Sequence, residues 1–358
     1  MTNEGHPMFT QKYYAEETLF QTSKAVVPQK AILLQLLAVY VGAIVTFQLQ
    51  LLHQTAIASS TITTCLAWLL LLLVDKNNRA LILAVYCGSF AGMSAFCLGA
   101  DCTDSMASIY WHAAIFSLAA ALCYVTIQLL STHFPKTMLT GYGGRLGAAA
   151  FLSSFLCSLV LTERTDITDL RQILTSYDPA TYLPYSIIAC AGAMIPFLLL
   201  RKKWHDVDVY FLTGLTAFLA LLASFLFSIF LPDLTLAPAA FYAGLFVSMT
   251  RPDLCPPPVL ALAGALSGML MLNFLRVFKG VGGNLGLTAM LSVLSVTVFF
   301  YVAARLPRFL SRMPLVAFMI AAIIGYSWVA SYFFSPAAQS SSSSNWKTEI
   351  MTVQGVNP

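Results

Sequence analysis

Residues 141–153 read GYGGRLGAAAFLS, and residues 280–292 read GVGGNLGLTAMLS. Eight of the thirteen positions agree, the whole G-x-G-G-x-L-G frame among them. Upstream of each copy stands a second matched pair, YCGSFAGMS at 86–94 and YAGLFVSMT at 242–250. Tyr, Gly, Phe and Met recur there in register, followed by a hydroxyl residue. Two motifs repeated in the same order are most economically explained by an internal duplication. A single glycine beside an apolar run says little, because glycine is common in membrane helices; the paired order says much more.

Outward from these motifs the chain is apolar nearly throughout. Of 358 residues 58% are hydrophobic and 9% charged, with a mean hydropathy of +0.78. A soluble domain carries nearer about 25% charge, so the composition predicts an all-α polytopic membrane protein. All fifteen acidic residues fall in tails, loops or helix ends. The net charge of +4 is dispersed and forms no basic stripe, which argues against nucleic acid as a partner. The eight cysteines lie mostly inside apolar runs and none forms a CxxC, so neither a metal site nor a disulfide framework is expected. The first thirty residues are polar, and no signal peptide is expected there.

A membrane crossing takes roughly 20 apolar residues to span a core about 30 Å thick. On that scale the sequence predicts eleven transmembrane helices, at 31–53, 57–74, 80–98, 108–130, 143–161, 182–200, 209–231, 236–250, 257–275, 285–304 and 314–334. The eighth is short, which leaves room for a broken or re-entrant element. Helices are required because lipid satisfies no backbone hydrogen bond, and the runs are too long for barrel strands. The expected organisation is a cytoplasmic N-terminal tail at 1–30, a first repeat at 31–161, a connecting loop at 162–181 and a second repeat at 182–306. An extra transmembrane helix at 307–335 and a disordered Ser-rich tail at 336–358 complete it. Five spans precede the connecting loop, so the second repeat starts from the opposite face. Two inverted five-helix repeats are the expectation, an arrangement that recurs in secondary transporters. With the N-terminus cytoplasmic, fourteen of the nineteen Lys and Arg residues lie inside. Positive charge is normally retained there, which places the C-terminus outside a plasma (inner) membrane.

Chemistry enters through the motifs. In each frame two adjacent glycines and a third three residues on precede a helix: Gly143, Gly144 and Gly147 in one, Gly282, Gly283 and Gly286 in the other. Glycine permits unwound backbone and close approach. A helix start also offers unpaired N–H groups and about half a positive charge. If both starts dip inward they meet at a shared site; the plainer reading is that GGxLG only lets two helices pack closely. Between the glycines stand Arg145 and Asn284, and an anion is the solute that this pair suggests, unless Arg145 serves topology alone. Tyr86, Phe90, Tyr242 and Phe246 form matched aromatic faces, read either as pore lining or as helix packing. Ser153 and Ser292 occupy equivalent positions of the two copies.

Neither a catalytic residue nor a cofactor is expected: there is no HExxH, no G-x-S-x-G before a helix, no P-loop and no acidic pair within a span. The function expected is a secondary transporter or facilitative permease for a small polar solute, an anion among the candidates, with its site between the repeats. A mid-span acid would be the usual proton carrier; with none present, Na⁺ or no coupling ion at all is the expectation. The sequence leaves the oligomeric state open. The rival from another class is a non-transporting membrane subunit or scaffold of an envelope complex. A weaker third is a membrane enzyme for lipid-linked substrates, which would need Asp101, Asp104, His112 or Asp178 to gather in one cleft.

Overall fold

The computed structural model describes residues 29–52, 54–74, 80–99, 106–133, 141–161, 179–278 and 280–305. Ten α-helices run through these residues. In the first half they are α1 (Gln29–Leu51), α2 (Ala56–Val74), α3 (Ala80–Gly99), α4 (Met106–His133) and α5 (Arg145–Leu161). In the second half they are α6 (Pro179–Leu199), α7 (Val209–Phe230), α8 (Ala237–Ser248), α9 (Pro257–Val277) and α10 (Asn284–Arg305), with one 3-10 turn at Arg201–Asp206. No strand occurs among the described residues. Every helix end falls within three residues of the predicted one. The predicted eleventh span, both tails and residues 162–178 of the connecting loop lie outside the described residues.

Seven of the helices, α1, α2, α4, α6, α7, α9 and α10, are long and apolar enough to cross a membrane. The apolar stretches of α3, α5 and α8 are shorter, at Leu81–Ser94, Arg145–Ser158 and Ala237–Ser248. The surface supports the membrane reading. Leu73 is 83% exposed, Phe230 71% and Leu52 69%, while many Ala, Ser and Thr residues are buried among the aromatic and aliphatic side chains of the interior. Water would penalise such a surface, whereas lipid tails accept it and leave close packing of small residues to hold the helices together.

The two halves pack alike. In the first, α1 lies against α3 and α4, α2 against α3, and α5 against α3 and α4. In the second, α6 lies against α8 and α9, α7 against α8, and α10 against α8 and α9. Small residues set the approach at matched points. A methyl added at Gly88 of α3 would land on the Val39 carbonyl of α1, and one at Gly244 of α8 on the Ala189 carbonyl of α6. The halves meet along α2–α7 and α5–α10.

Helix α8 is the innermost element. Its twelve residues begin with a proline at the N-terminal turn, where a missing N–H costs nothing, and eleven of them are buried. At about 1.5 Å per residue it is roughly 18 Å long, well short of a crossing. The sequence reading expected a short eighth element at 236–250, and the helix there is shorter still, Ala237–Ser248.

Candidate functional site between the two halves

The glycine frames meet. Gly144 and Gly283 occupy the same place in their frames and both adopt left-handed backbone, with φ of 82° and 79°. That conformation costs an L-residue with a side chain roughly 1–2 kcal/mol, so glycine is the residue that turns the chain into α5 and α10. The two helix starts then touch. A methyl at Gly144 would fall on the carbonyl of Gly286, and one at Gly283 on the carbonyl of Gly147. Gly147 and Gly286 face each other: a methyl on Gly147 would come 2.6 Å from the Gly286 Cα, and one on Gly286 2.5 Å from the Gly147 Cα. All six glycines of the two frames are buried.

Each frame is also tied to the opposite half. The Gly143 N–H donates to Thr250 Oγ1 at 3.0 Å, and the Gly282 N–H donates to Ser94 Oγ at 2.6 Å. Thr250 and Ser94 are the hydroxyl residues that end the two aromatic motifs. Two positively polarised helix starts therefore abut, and hydroxyl oxygens from across the interface accept their leading N–H groups. Arg251 adds a backbone bond, its N–H donating to the Gly141 carbonyl at 2.9 Å, while its guanidinium pairs with Asp253 at 2.9 Å.

Beside this junction the four aromatic residues form one cluster. Tyr86 and Phe90 of α3 meet Tyr242 and Phe246 of α8, with ring centroids of Tyr86–Phe246 at 5.6 Å, Phe90–Tyr242 at 5.9 Å and Phe90–Phe246 at 4.9 Å. None of the four is more than 2% exposed. Such packing alone contributes stability through ring contacts, but the phenol oxygens are a different matter. The Tyr86 hydroxyl is flanked by Tyr242 and Thr216, and the Tyr242 hydroxyl by Tyr86 and Ser60. The two phenols and the Thr216 and Ser60 hydroxyls thus form one buried polar group among the rings.

The remaining sequence-derived positions sit apart from that cluster. Arg145, at the first turn of α5, reaches back to α4, where its guanidinium donates to Gln128 Oε1 at 3.4 Å and Gln128 donates to the Tyr124 hydroxyl at 3.1 Å. Asn284, at the first turn of α10, reaches back to α9 and donates to the Phe274 carbonyl at 3.0 Å. Each thus bonds to the preceding helix of its own half. Ser153 donates to the Ala150 carbonyl at 2.8 Å and Ser292 to the Thr288 carbonyl at 2.7 Å, both within their own helices. The structure brings together the six glycines and, next to them, the four aromatics. Asp101, Asp104 and Asp178 lie outside the described residues.

Ser60 and Thr216 were not singled out by sequence reasoning, because hydroxyls in membrane helices ordinarily bond their own backbone. One signal could have found them: Ser60 and Thr216 are 156 residues apart, and so are Tyr86 and Tyr242. No protein-family profile, curated protein or solved structure matches the chain.

Proposed function

We propose, on geometry alone, that this protein is a secondary transporter or facilitative permease for a small polar solute, which passes between two halves related by duplication and inversion. One observation carries the reading. The two glycine-led helix starts meet inside the bundle and exchange hydroxyl contacts crosswise, Thr250 to Gly143 and Ser94 to Gly282. Discontinuous helices whose starts converge between inverted repeats are the usual way a transporter exposes backbone polarity inside a membrane. Elsewhere in a lipid-embedded bundle such unwound backbone would be a liability. The short α8 and the shared packing pattern of the halves support the same reading, as does the cluster of buried hydroxyls where a scaffold subunit would be expected to close with apolar side chains.

Alternating access then amounts to one half rocking against the other about the frames, exposing Ser60, Tyr86, Thr216 and Tyr242 to each side in turn. The membrane in question is the plasma (inner) membrane, with the N-terminus inside, in keeping with the Lys and Arg distribution. The test is thiol access. S60C and T216C, each in a chain lacking the native cysteines, should react with a membrane-impermeant thiol reagent applied from one face or the other of oriented vesicles. Complete protection of both positions from both faces would remove the pathway, and the scaffold reading would take its place.

A further inference from the structure

We propose that the turn joining α6 to α7 holds the phosphate of one anionic phospholipid, whose acyl chains lie along the outer face of α6. The proposal does not depend on the transport reading.

Position comes first. The 3-10 turn Arg201–Asp206 links the end of α6 to the start of α7, and both helices are long and apolar enough to cross a membrane. A short connector between two crossing helices lies at the membrane surface, where the lipid phosphates are. This connector is held in place. The Leu200 N–H donates to the Pro196 carbonyl at 3.0 Å and the Lys203 N–H to the Leu200 carbonyl at 2.8 Å. Trp204 is buried, with its ring edge-on to Phe197 of α6 at 5.4 Å. At the far end Asp208 accepts the Tyr210 N–H at 3.0 Å and so caps α7.

On this anchored turn Arg201, Lys202 and Lys203 are all exposed. Directly beneath them Leu183, Ile187, Leu198 and Leu199 of α6 are exposed as well. At about 100° per residue, Leu183, Ile187 and Leu198 fall within about 60° of one another and make one stripe. The rise from Ile187 to Leu199 is about 18 Å, against about 15 Å for the hydrocarbon of one leaflet. An acyl chain on the stripe therefore brings its phosphate to the height of the cations. The stems of Lys and Arg cover apolar surface while their heads reach the headgroup plane, and the planar fork of Arg201 matches phosphate oxygens. The other end of α7 offers the contrast. Its exposed Phe225, Ile229 and Phe230 are followed by Asp233, and no Lys or Arg occurs from 231 to 250. A soluble anion would use the three cations and leave the stripe idle, whereas an anionic phospholipid uses both.

The test takes the full chain in detergent and titrates it with phosphatidylglycerol, phosphatidylcholine and glycerol 3-phosphate. Native mass spectrometry counts bound lipid, and thermal stability is followed in parallel. Phosphatidylglycerol should be retained as one tightly bound copy and should raise the melting temperature; the zwitterionic lipid and the soluble phosphate should do so far more weakly. R201Q/K202Q/K203Q should weaken phosphatidylglycerol binding by about a hundredfold, at about fivefold per cation near a membrane surface, without lowering the melting temperature of the lipid-free protein. The unmodified chain gives an independent readout: its preference for phosphatidylglycerol should vanish in about 1 M salt, where charges are screened beyond about 3 Å. Equal retention of the two lipids, binding that the triple variant keeps, or a preference that survives high salt overturns the proposal. Glycerol 3-phosphate that binds as tightly as the lipid overturns it too, and makes the turn a soluble-anion site instead.

Discussion

Replacing Gly144 with alanine separates the two physical jobs that the glycine frame performs. Gly141 and Gly144 both hold left-handed backbone, with φ of 87° and 82°. An alanine at either therefore incurs roughly 1–2 kcal/mol of backbone strain. What the added methyl meets differs. At Gly141 it meets the Arg251 side-chain stem, which can swing aside. At Gly144 it meets the Gly286 carbonyl and, at 2.9 Å, the Met290 backbone nitrogen. Those atoms belong to α10 and cannot move unless the helices separate. Overpacking of this kind costs typically about 1–3 kcal/mol. Gly141→Ala should thus lose about 1–2 kcal/mol and Gly144→Ala about 2–5 kcal/mol. Gly283→Ala should match Gly144→Ala, because its methyl falls on the Gly147 carbonyl and the Phe151 backbone nitrogen. Equilibrium unfolding in bicelles by steric trapping would measure all three. Equal losses for Gly141→Ala and Gly144→Ala would refute the reasoning, since they would mean that α5 and α10 do not touch at this point.

Three further outcomes follow from other contacts. Thr250→Val leaves the buried Gly143 N–H without an acceptor and should cost about 1–3 kcal/mol; Thr250→Ser should restore most of it, and Ser94→Ala should repeat the loss at Gly282, all read as shifts in unfolding free energy. Gly214 of α7 backs onto the indole of Trp68 on α2, so Gly214→Leu should destabilise the α2–α7 seam, and adding Trp68→Ala should relieve the loss in a double-mutant cycle; additive losses would place the two apart. Burial pushes the Cys255 thiol from its ordinary value of 9.0 up to about 12, and only the thiolate reacts. Alkylation at residue 255 should stay slow in the folded protein through pH 9 and become fast on unfolding. The sign is fixed by the neutral form being favoured in the fold: the associated stability is present below pH 9 and declines as pH rises through the interval up to about 12.

Much of this fold is written along the chain. Apolar runs long enough to cross lipid, broken by short polar or Pro-containing stretches, locate the ten helices to within three residues. They do so because a backbone in hydrocarbon has no alternative to internal hydrogen bonding. Gly144 and Gly283 were legible for a related reason: a residue that must turn left-handed and also touch another backbone can hardly be anything else, and the sequence carries that frame twice. The partners of those glycines were not legible. Nothing in the order of residues says that Gly144 touches Gly286 rather than its own half, or that Ser94 and Thr250 accept N–H groups from across the interface. Nor does that order say that the Arg145 guanidinium donates to Gln128 of α4.

The sequence by itself determined that this is a multi-helix membrane protein and that its two halves share a pattern, because hydrophobic length and motif order are properties of the linear chain. Only the tertiary structure decided which polar groups meet. Whether a hydroxyl is satisfied depends on which helix lies opposite it and at what angle. For that reason Thr250 and Ser94 became the acceptors of the Gly143 and Gly282 N–H groups only once the two halves were in place.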